Sequence, residues 1–370
     1  MHCSRFWNPF DVIMRARIAV LFLIFGIATE RSVLSQSAGP ATFSRERMLE
    51  ELATNVLASG WQEIGQKCWE LTNCLEQLVK SPNETTLNKA REAWLAASQA
   101  STRMRCFQAG PMADRDWSST FNYWKVLPSR IEGVLHSPGK VDQAFLDNLG
   151  CETKGLFALE YLLFQETPTN LVAKLSAANS ERTSSYLLAV GREVGGQATR
   201  IADDWAVAEP SGPRQKFASG GQQSINLLVN QLAKCLEDAS GDHLHFVLVL
   251  PNPISRQLYR VERSCSHSSL DGVLATLEGA QRLVQGNGGL GLKDALKQVN
   301  PALEKRVADQ FKETIGSIRA LGAPLEQVVV NNRKALESAY EKARALEILI
   351  KVDVVSSLGV TLTFSSTDGD

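Results

Sequence analysis

The chain has 370 residues, 44% of them hydrophobic and 21% charged, which is ordinary for a globular protein and long enough for two domains. Thirty-nine Lys and Arg face 40 Asp and Glu, a net charge of −1, so no strong field exists to gather nucleic acid or anionic lipid. No long basic run interleaved with aromatics appears, and nucleic acid is therefore not an expected partner.

The N-terminus differs from the rest. Residues 18–28 read IAVLFLIFGIA, preceded by Arg15 and Arg17 and stopped by Thr29, Glu30 and Arg31. A membrane span needs about 20 apolar residues, and this run is roughly half that. A positive flank, a short apolar core and small residues downstream describe a secretory signal peptide over residues 1–37. Val33 and Ser35 suit cleavage after Ser35, and Ser35 and Ser37 suit cleavage after Ser37. Met14 would begin a more typical leader than Met1, and an uncleaved anchor is the alternative reading. Removing residues 1–37 takes away four basic and two acidic residues, leaving 35 against 38. Six cysteines remain: Cys68, Cys74, Cys106, Cys151, Cys235 and Cys265. An even count in an exported chain permits disulfides; none is spaced CxxC, so structural zinc is not indicated.

Helical periodicity then runs through most of the chain. Apolar spacing with Pro and Gly punctuation predicts helices over 46–80, 86–107, 117–135 (interrupted by Pro128), a short 141–149, and 154–164, stopping near Pro168. A second set follows over 180–205, 219–237, 270–284, 301–321 and 324–350. Residues 242–263 read as an irregular connection with room for a short strand, and residues 353–370 as a strand-like or loose tail. The fold class is all-α: two tandem bundles of about four helices each, over 41–166 and 180–352.

The most telling segment is GLFALEYLLF, residues 155–164. Its single acid, Glu160, has Leu156, Phe157, Leu163 and Phe164 as its neighbours three and four residues away on a helix. A carboxylate on an apolar face either loses its charge or needs a partner. It is a site candidate, with a buried salt bridge or helix–helix hydrogen bond as the plainer alternative.

This segment resembles the signature helix of the imelysin-like family, a GxHxxE pattern followed by an apolar run. Other stretches agree in order: Ala90 to Trp94, then Phe107 and Gly110-Pro111; Trp124; the helix ending in Trp205; and Glu262-Arg263-Ser264 followed by Ser269-Leu270. The resemblance implies an exported bacterial envelope protein of two helical bundles, associated with iron uptake and regulation. It also implies iron or another divalent metal as cofactor, since the motif His and Glu were proposed as ligands in founding members described as peptidases. Here Phe157 stands where the motif has His, so the ligand pair is broken and only Glu160 is left as a metal candidate. The expected role is a periplasmic binding protein rather than a competent peptidase, its partners a small ligand or the envelope proteins of a metal-uptake system. The expected site residues are Glu160, Trp124, Phe157, Arg263 and Gly155, with Arg263 as counter-charge to Glu160 and the aromatics as walls. The alternatives are a helical partner-binding scaffold that has lost the metal site and, behind it, a metal-dependent peptidase. The resemblance also brings Cys106 and Cys151 close enough for a disulfide.

His243 and His245, and likewise Cys265 and His267, stand two apart and would face one side of an extended segment, forming a composite site with Glu160; hydrogen-bonded or surface histidines are the alternative. Gly286 to Gly291 follows a helix rather than a strand and reads as a loop. No HExxH or GxSxG element is present.

Overall fold

The structure, a computed structural model, describes residues 43–107, 121–250 and 261–363. The expected signal peptide at 1–37, Gly110-Pro111, the start of the 117–135 helix and the end of the tail lie outside the described residues. Among the described residues the fold is all-α, with no strand and no helix long and apolar enough to cross a membrane.

The first rod begins with α1 (Arg45–Glu51), where the Ser44 side chain accepts from the Arg47 N–H and caps the helix. It passes through a π-helical turn (Leu52–Ala58) into α2 (Ser59–Lys80). Helix α3 (Glu84–Arg103) starts with a reciprocal cap between Asn83 and Thr86. Then come α4 (Pro128–His136), α5 (Gln143–Asp147), α6 (Gly155–Phe164), α7 (Pro168–Ser176) and α8 (Glu181–Ala206). Pro128 and Pro168 open their helices rather than ending others, because a first-turn proline loses no helical hydrogen bond. Trp124 therefore lies in a non-helical stretch before α4, not inside a helix.

The second half holds α9 (Pro213–Ala218), α10 (Gln222–Asp238), a π-helical turn (Ala239–His245), α11 (Phe246–Val249) and α12 (Ser269–Gln285). It closes with α13 (Leu292–Val299), α14 (Pro301–Arg319), α15 (Leu325–Asn331), α16 (Arg333–Ile348), a π-helical turn (Leu349–Val354) and α17 (Val355–Leu358). The described start of the 242–263 connection is helical, where the sequence left room for a strand. The tail, expected loose from 353, stays helical to Leu358, where Gly359 at φ 64° ends it.

Helix α2 packs along α8 and α3, and α6 lies against α3 and α8. Helix α12 packs on α3 and α14, and α14 on α16. The sequence placed the 180–205 helix at the head of a second bundle; it packs instead on the first helices, and one apolar cluster continues through both halves. At the seam a Cβ on Gly279 would sit 1.8 Å from the Arg103 carbonyl oxygen, so only glycine lets α12 approach α3 this closely. A disulfide crosses the same seam, joining Cys106 to Cys235 with Cα atoms 5.2 Å apart. This corrects the expected Cys106–Cys151 pair: Cys151 is a free thiol on a 3₁₀ turn (Cys151–Thr153).

Candidate functional site

Helix α6 is fixed by α3. The Trp94 indole N–H donates to the Leu156 carbonyl (2.7 Å), and its ring meets Phe157 and Phe164 edge-on at 6.5 and 5.3 Å. One turn back, Arg91 donates to the carbonyls of Leu163 (2.9 Å) and Glu166 (3.2 Å), satisfying the C-terminal end of the helix. Gly155 enters α6 at φ 80°, a left-handed conformation that suits glycine, and the Leu156 N–H donates to the Phe121 carbonyl. These contacts set the direction of Glu160.

The turns before α12 supply its partners. The Ser266 N–H and hydroxyl both donate to Glu160 Oε1, at 2.9 and 2.8 Å. Oε2 takes no hydrogen bond from a described residue, and Glu160 is one of the residues that line the adjoining cavity. Only 4% of Glu160 is exposed. Burial pushes its carboxyl up to about 7, against the Ser266 hydrogen bonds and the Arg263 charge, which pull it down.

Arg263 is held in the left-handed region at φ 63°, unusual for a residue with a side chain. Its guanidinium is wholly buried, donating through Nη2 to the Ser98 carbonyl (2.8 Å) and Thr102 hydroxyl (2.5 Å) of α3, and it lies 6.0 Å from the Trp94 ring centroid. Glu262 faces the other way. Its Oε1 accepts from Arg105 Nη2 at 2.6 Å and lies 3.7 Å from Arg263 Nε. Burial alone would raise the Glu262 carboxyl, but the charged groups beside it, Arg105 first, hold it at about 2. His243 Nε2 lies 3.0 Å from Arg105 Nη1, and since a guanidinium only donates, that nitrogen is the acceptor. Burial, with the Arg105 charge, lowers the His243 pKa and keeps the ring neutral, against the pull of Glu262.

Beside Glu160 opens a cavity of about 450 Å³. Trp124, Tyr161, Phe246 and Val261 supply apolar walls, and Glu160, Asp242, Lys125 and Arg263 are its charged lining residues. Lys125 Nζ lies over the Trp124 ring, 5.3 Å from the centroid. Size, apolar walls and a few convergent polar groups are those of a small-molecule site.

Of the residues singled out from sequence, Glu160, Trp124 and Arg263 meet at this cavity. Phe157 and Gly155 do not: Phe157 is core against Trp94, and Gly155 serves the backbone. The histidine pairs do not converge either. His243 and His245 sit on a π-helical turn rather than an extended strand, so His243 is buried toward Trp124 while His245 is exposed and stacks on Tyr340. Cys265 lines the cavity, whereas His267 is exposed beside Glu326. Sequence reasoning missed Arg105, Ser266, Asp242, Tyr161 and Phe246. Ser266 and Glu160 are 106 residues apart and Arg105 and Glu262 157, so no local spacing could announce them.

The imelysin family model matches residues 60–350. This chain belongs to the imelysin family. A relative named iron-regulated protein A, from Synechococcus elongatus, is 20% identical over 336 residues, covering 88% of this chain and 89% of the relative. A crystal structure from Parabacteroides distasonis, described as an iron-regulated protein A precursor, matches with a TM-score of 0.72 at 18% identity, over 85% of this chain and 94% of that one. An imelysin-like protein from Psychrobacter arcticum matches at 0.70 with 14% identity, over 87% and 99%. At those identities the two structures share the fold.

In this imelysin the described residues do not fit the metal implied by the family resemblance. One turn before Glu160 stands the Phe157 ring, which has no donor atom. Glu160 offers one open oxygen, its other being taken by Ser266. Among the described residues no three His, Cys, Asp or Glu side chains gather to hold an ion, whereas a protein-held transition metal takes three or four ligating side chains.

Proposed function

We propose that this imelysin is an exported binding protein of the bacterial cell envelope, working alongside iron acquisition and without peptidase activity, with the cavity beside Glu160 as its ligand site. The observation that carries the reading is the buried Glu160 on the lining of a 450 Å³ cavity, with only one of its oxygens hydrogen-bonded by a described residue. A scaffold that had lost its site would fill the space.

Export is supported by the N-terminal pattern of residues 15–37 and by the Cys106–Cys235 disulfide, a bond that persists mainly in oxidising compartments. The iron association rests on the likeness to the Synechococcus iron-regulated protein A. The absence of peptidase chemistry rests on the donor set, since metal-assisted hydrolysis needs a held ion with an open position.

The test is native mass spectrometry of the protein purified from envelope fractions of its own host. The expected result is a chain beginning near Gln36 or Ala38 with a small molecule that leaves on denaturation and is missing from Glu160→Gln. A chain recovered from cytosol, or the same bound molecule in the variant, would contradict the reading.

A further inference from the structure

We infer that the cavity takes an organic ammonium ion, an amine with an apolar or aromatic body, seated by its charged head on the Glu160 carboxylate. This rests on reading the cavity as the ligand site, and it names the class of ligand.

The first argument is the unmet acceptor. Glu160 is nine-tenths buried and lines the cavity; Ser266 fills Oε1, and Oε2 takes no hydrogen bond from a described residue. A buried carboxylate oxygen without a donor is costly, and a donor that brings positive charge satisfies it best. A metal ion would ask for several such oxygens; an ammonium asks for one and leaves its remaining N–H groups to water or other acceptors.

The second argument is the sign of the charge a ligand can reach. Glu160 and Asp242 are negative and Lys125 positive. The Arg263 side chain is wholly buried and faces Glu262, so it offers no accessible seat to an anion. The Lys125 ammonium lies over the Trp124 ring, 5.3 Å from its centroid, so the one accessible cation of the lining is already engaged by an aromatic face.

The third argument is the walls. Trp124, Tyr161 and Phe246 give π-faces and apolar area around the carboxylate, and aromatic side chains around a carboxylate suit an ammonium with a hydrocarbon body. Burial also holds the Glu160 carboxyl near 7, and a cation on Oε2 would favour its ionised form.

The experiment titrates the purified protein with three probes of one shape: 2-phenylethylamine, 2-phenylethanol and phenylacetate. Binding is read by calorimetry and Trp fluorescence at pH 8, where Glu160 is largely ionised. The expected order is amine first, at least tenfold tighter than the alcohol, with phenylacetate weakest. Glu160→Gln is expected to bring the amine down to the alcohol's affinity. Asp242→Asn, at an exposed position on the lining, is expected to weaken the amine about threefold and leave the alcohol unchanged. Phenylacetate or the alcohol binding as tightly as the amine overturns the ammonium assignment while leaving the cavity as a binding site. No binding of any probe to folded wild-type protein overturns both.

Discussion

Two buried glutamates, Glu160 and Glu262, sit on the same polar seam and titrate in opposite directions. Glu262 has Arg105, His243 and Arg263 around it, and its carboxyl is held at about 2. Glu160 has Ser266 and only the more distant charge of Arg263, and burial takes its carboxyl to about 7. Burial is severe for both, so the difference lies in compensation. One acid is closed into a network that ties α3 to the turns before α12. The other lines a cavity, with only one oxygen hydrogen-bonded by a described residue. What separates the two is the charge beside them and the space they border: Glu262 is set among cations, and Glu160 lines a cavity.

The largest effect should come from breaking the closed side. Arg105→Ala leaves Glu262 buried without its main counter-charge, and unfolding by urea should show a loss of about 3–5 kcal/mol. A loss below 1 kcal/mol would mean that Glu262 is neutral or solvated. The pH dependence sharpens the contrast. Glu160 is raised above its unfolded value near 4.5, so its contribution is fully present below pH 4.5 and is lost as pH rises through about 7. That amounts to about 3 kcal/mol. Arg263, Glu262, Ser266 and Cys265 are the groups that act on it. Glu262 runs the other way: its stabilisation is present above pH 4.5 and is lost as pH falls toward 2. Glu160→Gln should remove the fall between pH 5 and 8 and leave the acid limb intact; a variant with the wild-type slope would assign that titration elsewhere.

The seam itself can be loosened without touching either acid. Cys235→Ser opens the link that closes 129 residues of chain, and should cost roughly 2–4 kcal/mol in thermal or urea unfolding. Equal stability with and without reductant in the wild type would show that the bond does not form. The smallest effect is expected at Gly155→Ala, where φ 80° places a Cβ in the left-handed region, at about 1–2 kcal/mol. Amine affinity in that variant should fall together with stability, because Gly155 starts the helix that aims Glu160.

The sequence made one side of the comparison legible and hid the other. Glu160 stood out because an acid inside GLFALEYLLF has no local partner, and the apolar period with Pro and Gly punctuation gave most helices and the all-α class. Pro128 and Pro168 misled, since a proline that opens a helix looks like one that ends it until the helix is seen. Helices α7 and α13 were missed because each is short and lies between strong turn signals. The histidines at 243 and 245 were paired on an assumed strand, and a π-helical turn sends them apart. The Glu262 network was invisible because Arg105, His243 and Arg263 meet only through tertiary packing. Cysteine count permitted a disulfide but could not choose Cys235 over Cys151.

The most direct test is the titration of the Glu160 carboxyl by carbon NMR, assigned with Glu160→Gln and repeated with saturating 2-phenylethylamine. The account expects a midpoint near 7 in the free protein, falling by at least one pH unit with the amine bound. A midpoint near 4.5 in the free protein, or one near 7 that the amine leaves unmoved, would contradict it.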